Sequence, residues 1–161
     1  MYQYPYISVI FFVSLFLSFQ TSIHASGQIQ VYEVNSDKSL QDILEDLEFA
    51  MTEHNLRIVE RLHIGQAIKL RGDEDFPEYE VILYCNLAFA REMLELAPEM
   101  INTCPGRVSV RGTENSYIIS APLWPEQNSD SRLNQMMNDL NNQLKIIVDY
   151  SALEWSKPYE N

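Results

Sequence analysis

The feature that most constrains the fold is the run Tyr79–Cys85 (YEVILYC), in which apolar residues occur at both of the alternating positions of a strand. A strand of this kind is typical of the inside of a sheet, because neither of its faces is suited to lie in water. We therefore predict that this run is a central strand, and that the segments on either side of it supply the layer that covers the sheet.

Three segments carry apolar residues at the spacing of an amphipathic helix. The first follows Ser39, which forms a capping-box pattern with Asp42, and Asn55 is placed to end it in a left-handed conformation. The second begins at Asn86. The third is a long C-terminal helix over residues 130–152, whose apolar stripe comprises Leu133, Met136, Met137, Leu140, Leu144, Ile147 and Val148.

Shorter segments with alternating polarity or β-branched residues predict four further strands, at residues 29–34, 56–62, 107–111 and 117–121. The order of elements predicts an α+β fold with a mixed or antiparallel sheet, helices packed on one of its faces and an extra C-terminal helix on the same domain. The domain itself spans residues 28–125. A sheet with one open face needs a cover, so we expect a homodimer as one arrangement.

Residues 7–19 (ISVIFFVSLFLSF) are almost continuously apolar, and a polar segment follows them. This length matches the core of a secretory signal, which has about 7–15 residues, whereas a membrane-spanning helix needs about 20. We place cleavage after Ala25, so that residues 1–25 form a signal peptide and the mature chain has no integral membrane span. The expected location is the periplasm or the outside of the cell, and an uncleaved anchor is the alternative.

The chain has 11 basic and 23 acidic residues, a net charge of −12, and no basic run or stripe. Proteins that bind nucleic acids carry such a basic surface, so we expect no nucleic-acid partner. The sequence also lacks the Gly-rich loops of phosphate sites and the G-x-S-x-G pattern of nucleophilic hydrolases. With no catalytic constellation, the sequence favours a non-enzymatic role over an enzymatic one.

The two cysteines are the residues best suited to chemistry. Cys85 ends the predicted central strand and precedes Asn86 at a helix N-terminus, where the helix dipole stabilises a thiolate. If the strands next to Cys85 and Cys104 were parallel, the two residues would lie at opposite edges of the sheet. Antiparallel neighbours would instead permit a disulfide, which requires Cα atoms within about 7 Å. A buried structural role for each cysteine is the alternative to reactivity.

A soft-metal site is a further hypothesis, because such sites use Cys, His and Met ligands. His63 lies between a predicted strand and Gly65, a position from which its side chain could point into a cleft. The ligand spacings typical of zinc sites and of covalent haem do not occur in the chain. The sequence therefore leaves the metal and any cofactor unknown.

The segment from His63 to Ile68 (HIGQAI), the later Gly72 and the strand end Tyr84-Cys85-Asn86 resemble the pattern of the DUF302 family. A further match is the stretch from Cys104 to Val110 (CPGRVSV), which contains Arg107. The resemblance covers residues 31–121 and leaves the C-terminal helix outside. The family has no general assigned function, so the resemblance informs the fold more than the chemistry. The candidate site residues are Cys85, Asn86, Cys104, Arg107 and His63.

Two functional hypotheses follow. The first is an exported DUF302-like domain that binds a protein partner or a small ligand, both unidentified, without catalysis. The alternative is an envelope protein for thiol redox chemistry, or for a soft metal or haem, that is centred on Cys85 with Cys104 as its partner.

Overall fold

The structure is a computed structural model that describes residues 29–126 and 128–154. The predicted signal peptide, residues 1–25, lies outside the described residues. No helix in the described part of the chain is both long enough and apolar enough to cross a membrane.

The five predicted strands and three predicted helices occur in the predicted order, and a further short helix and a 3₁₀ turn lie between them. The strands are β1 (Val31–Ser36), β2 (Arg57–His63), β3 (Tyr79–Cys85), β4 (Gly106–Gly112) and β5 (Tyr117–Pro122). The helices are α1 (Leu40–Glu53), the short α2 (Ile64–Lys69), α3 (Leu87–Leu96) and α4 (Ser131–Ala152), and a 3₁₀ turn (Pro98–Thr103) connects α3 to β4.

The five strands form one sheet in the order β1-β5-β4-β3-β2, and all neighbouring pairs are antiparallel. This sheet and its helices make the fold α+β, as predicted. Of the two predicted types of sheet, mixed and antiparallel, the structure has the antiparallel one. The first and last strands of the sequence pair at one edge, where Val34 lies opposite Ile119. The edge pair β1–β5 therefore joins the two ends of the domain.

The ends of the helices follow the signals in the sequence. Ser39 accepts a hydrogen bond from the backbone N–H of Asp42 at 3.2 Å, which caps α1. Asn55 has φ of 57°, the left-handed conformation expected at the end of that helix. Helix α4 begins after Asp130, whose carboxylate accepts hydrogen bonds from the backbone N–H groups of Arg132 and Leu133.

The core lies between one face of the sheet and the helices. Leu47 of α1, Met93 of α3 and Leu144 of α4 belong to the same buried cluster as Ile82 of β3 and Val108 of β4. Burying each of these side chains contributes about 1.5–3 kcal/mol. The C-terminal helix is therefore an integral layer of the domain.

The second face of the sheet is only half covered. In β3, Glu80, Ile82 and Tyr84 are buried, whereas the alternating residues Val81 and Leu83 are half-buried. The structure confirms that β3 is an interior strand, since it lies between β4 and β2. Its apolar character on both faces did not produce burial on both faces, because an antiparallel sheet needs helices on only one side.

The edge strand β2 contains an irregularity. Its pairing with β3 shifts between Ile58 and Glu60, which makes Val59 the extra residue of a β-bulge. The side chain of Val59 is 56% exposed. Three of the other positions of this strand are charged, namely Arg57, Glu60 and Arg61.

Candidate functional site

The site is a pair of thiols at one end of the sheet. Cys85 is the last residue of β3, and Cys104 lies two residues before β4. The two strands are antiparallel, with Tyr84 opposite Gly106, so the end of one adjoins the start of the other. The Sγ atoms of Cys85 and Cys104 are 4.0 Å apart. Of the two arrangements that the sequence permitted, the structure therefore has the one that brings the cysteines together.

Both cysteines are partly accessible. Each is present as a free thiol with intermediate exposure. Cys104 is joined to Pro105 by a cis peptide bond. A solvent-borne reagent can therefore approach the pair, which a fully buried structural cysteine would not permit.

Asn86 acts as the cap of α3. Its Oδ1 atom accepts hydrogen bonds from the backbone N–H groups of Ala88 and Phe89, both at 3.1 Å. The side chain that the sequence singled out as a site candidate thus holds the start of the helix in place. As a result, Cys85 directly precedes the N-terminus of a helix of ten residues.

The thiols lie next to a packed aromatic group. The ring of Tyr84 lies so close to Gly106 that a Cβ atom at that glycine would be 2.4 Å from Cζ of the ring. The indole N–H of Trp124 points to the hydroxyl oxygen of Tyr84 at 3.4 Å, and its ring meets Phe89 edge-on with centroids 6.1 Å apart. A small cavity of about 20 Å³ between these aromatic residues is also lined by both cysteines.

Trp124 is held from α4. The buried side chain of Asn141 accepts a hydrogen bond from the backbone N–H of Trp124 at 2.8 Å and donates one to its carbonyl oxygen at 2.9 Å. This double hydrogen bond fixes a loop residue to a helix, and a buried polar group paired in this way is costly to disrupt. The C-terminal helix therefore positions one wall of the site.

Burial raises the pKa of two groups at the site. The pKa of the Cys104 thiol is raised by burial first, then by the neighbouring Cys85. Burial also raises the pKa of Tyr84 to about 12; the hydrogen bond from Trp124 opposes this shift, and Cys104 adds to it. Cys104 and Tyr84 therefore keep their protons at neutral pH.

A larger cavity of about 200 Å³ opens beside the pair. It is lined by the residues on either side of Cys104, namely Thr103 and Pro105, and by Arg107 and Trp124. Gly106 and Trp124 line both this cavity and the smaller one that contacts the thiols. The larger cavity thus adjoins the thiols through a shared wall.

Two exposed arginines lie near this end of the sheet. Arg57 of β2 is directly opposite Cys85, and Arg107 of β4 is opposite Leu83. Within residues 29–126 and 128–154, neither guanidinium forms an ion pair, whereas Arg61, Arg91, Arg111 and Arg132 all do. Two arginines without an ion pair among the described residues therefore lie on the strands next to the thiols, in a protein that is acidic overall.

His63 is not part of this cluster. It ends β2 and pairs in register with Glu80, near the start of β3, and its Nδ1 atom is 2.7 Å from Oε2 of Glu80. Since Cys85 is at the other end of β3, five residues of strand, about 16 Å, separate the two places. Among the described residues, no group of three or more Cys, His, Asp or Glu side chains could hold a metal ion.

Three residues of the site were not predicted from the sequence: Arg57, Tyr84 as an aromatic wall, and Trp124. Trp124 lies between Pro122 and Pro125, in the connection from β5 to α4. A large aromatic residue between two prolines was the available signal. No such signal marked Arg57, whose proximity to Cys85 depends on strand register.

The fold and the thiol pair define a small α+β domain with an antiparallel sheet and a candidate dithiol site at one end. The model of the family described as "Domain of unknown function DUF302" matches residues 32–149. Because this match covers more than half of the chain, the protein belongs to the DUF302 family. The matched range includes most of α4, which the motif comparison had left outside.

A solved structure shows the same fold. The crystal structure of an uncharacterized conserved protein DUF302 from Bacillus stearothermophilus aligns with a TM-score of 0.68 and 16% sequence identity. The alignment covers 76% of this chain and 98% of that one. No curated protein matches the chain.

Proposed function

We propose that the protein is an exported DUF302 domain that acts by thiol–disulfide exchange at Cys85 and Cys104. The observation that carries this proposal is the 4.0 Å separation of the two sulfur atoms at the shared end of β3 and β4. A disulfide requires the sulfur atoms to approach to about 2.05 Å. Since both residues flank a hydrogen-bonded strand pair, the bond closes by local adjustment of two adjoining segments.

The exchange uses an external disulfide as the oxidant. The thiolate of Cys85 attacks one sulfur of that disulfide, so that a mixed disulfide forms and one external thiolate leaves with the electron pair of the broken bond. Cys104 then loses its proton and attacks Sγ of Cys85, which releases the second external thiolate. The protein has lost two electrons and two protons, and the external disulfide has become two thiols.

The order of attack follows from the two environments. Burial and the neighbouring sulfur raise the pKa of Cys104, which disfavours its thiolate at neutral pH. Cys85 precedes the N-terminus of α3 and lies across from Arg57. We therefore assign the first attack to Cys85 and the resolving step to Cys104.

Export supports this chemistry because oxidising compartments supply disulfides and permit them to persist. The proposed location, periplasmic or secreted, rests on the apolar segment at residues 7–19 and the cleavage position after Ala25. The intact mass of the purified protein tests the proposed cleavage. We expect a chain that begins at Ser26, and an uncleaved chain would contradict it.

Binding of a partner without chemistry is the second candidate, and the half-covered sheet face favours it. Val81, Leu83 and Ile118 are half-buried on that face, and a second copy of the domain is the partner we propose for it. The thiol pair lies at the strand ends, at the rim of this face.

Equilibration in glutathione buffers of graded redox potential tests the proposed exchange. The thiols are trapped by alkylation and the oxidised fraction is measured by mass. We expect a reversible Cys85–Cys104 disulfide with a midpoint above about −300 mV, because structural disulfides in secreted proteins lie below that value. A midpoint far below it would show a permanent staple, and failure to form the bond would contradict the proposal directly.

Two single substitutions distinguish the roles of the thiols. The Cys104→Ser protein should accumulate a mixed disulfide with glutathione at Cys85, because the resolving thiol is missing. The Cys85→Ser protein should form little of it. If the reverse pattern is found, the assigned order of attack is wrong.

A further inference from the structure

We infer that the 200 Å³ cavity beside the thiols binds a small disulfide or thiol that carries a carboxylate, with Arg107 as the group that binds the anion. This inference rests on the proposed exchange function and names the class of its substrate.

The size of the cavity limits the occupant. Sites for drug-sized ligands and cofactors measure about 300–1,000 Å³. A cavity of about 200 Å³ therefore suits a molecule the size of an amino-acid derivative. The smaller cavity, which both cysteines line, measures about 20 Å³ and has room for little more than a water molecule. The substrate is therefore placed in the larger cavity, with one of its sulfur atoms toward the wall that the two cavities share.

The position of the cavity couples binding to the thiols. Thr103 and Pro105 are the chain neighbours of Cys104, and both line the cavity. A molecule held there contacts the backbone that carries the resolving thiol. Such contact holds the external disulfide close to the protein thiols, which raises the rate of reaction without any change in the thiols themselves.

The charge at the wall selects an anion. Arg107 lines the cavity, is exposed, and forms no ion pair with any carboxylate in the described part of the chain. A guanidinium presents paired donors that match the two oxygens of a carboxylate. The other lining residues are mainly proline and apolar side chains, so the cavity offers one positive group and suits one carboxylate.

The test compares two small disulfides of similar size and opposite charge. Dithiodipropionate carries carboxylates, and cystamine carries ammonium groups. The rate constant for oxidation of the reduced protein is measured with each by alkylation and mass. The rate constant with dithiodipropionate is divided by the rate constant with cystamine, for the folded protein and for the urea-unfolded chain. Dividing the folded ratio by the unfolded ratio removes the difference in intrinsic reactivity between the two reagents. We expect folding to favour the anionic reagent by about tenfold, against the net charge of the domain.

Substitutions at two unpaired arginines locate the effect. Arg107→Gln should abolish the preference for dithiodipropionate, chiefly because the rate with that reagent falls. Arg107→Lys should retain part of the preference, because the charge remains and the paired donors are lost. Arg71→Gln is the matched control, since Arg71 is also exposed and without an ion pair among the described residues, but follows α2, away from the cavity. It should behave as the wild type.

The outcomes separate this inference from the proposal beneath it. If both reagents oxidise the pair but folding gives no preference for the anion, the inference fails and the exchange function stands. The inference also fails, and the exchange function stands, if Arg107→Gln keeps the preference for the anion. The same conclusion follows if only Arg57→Gln loses that preference, because Arg57 does not line the cavity. If neither reagent forms the Cys85–Cys104 disulfide, the exchange function itself fails.

Discussion

Oε2 of the buried Glu80 carboxylate lies 2.7 Å from Nδ1 of His63. The Glu80 side chain is 5% exposed and the imidazole is 51% exposed. Within the described residues, the same oxygen accepts no hydrogen bond of ordinary geometry. The contact with His63 is therefore the compensation that the structure shows for burying this carboxylate.

Removal of the imidazole should destabilise the fold. We expect His63→Ala to lower the free energy of unfolding by about 1–3 kcal/mol, because a buried acceptor loses its nearby partner. Adding Glu80→Leu to this variant should restore most of the loss, since the group that needed compensation is gone. Urea denaturation measures both. A loss below about 0.5 kcal/mol, the range of neutral surface changes, would show that the contact contributes nothing.

The contact between Tyr84 and Gly106 should make this glycine intolerant of substitution. A Cβ atom at Gly106 would lie 2.4 Å from the buried ring, so Gly106→Ala should cost about 1–3 kcal/mol of stability. In a Tyr84→Leu background the same substitution should cost much less, because the obstructing atoms are absent. Thermal or urea unfolding of the four proteins gives the coupling energy. Independent, additive effects would contradict the proposed clash.

Stability should fall at high pH through Tyr84. Its pKa in the folded protein is raised to about 12 from an ordinary value of 10.0, so the protonated form is favoured by folding. The contribution is fully present below pH 10 and is lost as the pH rises towards 12. The loss amounts to roughly 2–3 kcal/mol.

Comparison with a Tyr84→Phe variant isolates this titration. The difference in the free energy of unfolding between the two proteins is measured from pH 8 to about pH 12. Above pH 10 the free energy of unfolding of the wild type should fall relative to that of the Tyr84→Phe variant. A difference that stays constant across this range would show that Tyr84 does not titrate as described.

The half-covered sheet face should mediate self-association. We expect the mature protein to sediment as a dimer at micromolar concentration and Val81→Glu to sediment as a monomer with an unchanged circular dichroism spectrum. Burying an added carboxylate without a partner is costly, so a charge in the middle of this face opposes association. Glu45→Gln, on the exposed side of α1, is the control. A wild-type protein that remains monomeric throughout this range would contradict the dimer.

Local signals predicted the elements and the helix ends. Ser39, Asn55 and Asn86 act within a few residues of themselves, so their roles can be predicted from short segments. The order of strands in the sheet depends instead on contacts between distant segments. The pairing of Val34 with Ile119 joins residues at opposite ends of the domain, and no local pattern encodes it.

The candidate site also combines residues that short segments predict with contacts that depend on the pairing of distant strands. Cys85 and Cys104 were identified from residue type, and the antiparallel register that brings them together was one of two alternatives. The position of His63 away from the thiols followed from that register as well, since Glu80 and Cys85 lie at opposite ends of one strand. Arg57 became part of the site only through its place opposite Cys85.

The bulge at Val59 limits how this sheet can grow. An edge strand with unpaired backbone groups is a template on which another chain can add, and repeated addition produces fibres. In β2 the bulge interrupts the regular spacing of those groups, and the charged residues beside it disfavour a second strand. Association through the broad face closes after two copies, whereas association through an edge does not. The bulge thus disfavours the addition of a strand at the β2 edge, which is one of the two edges of the sheet.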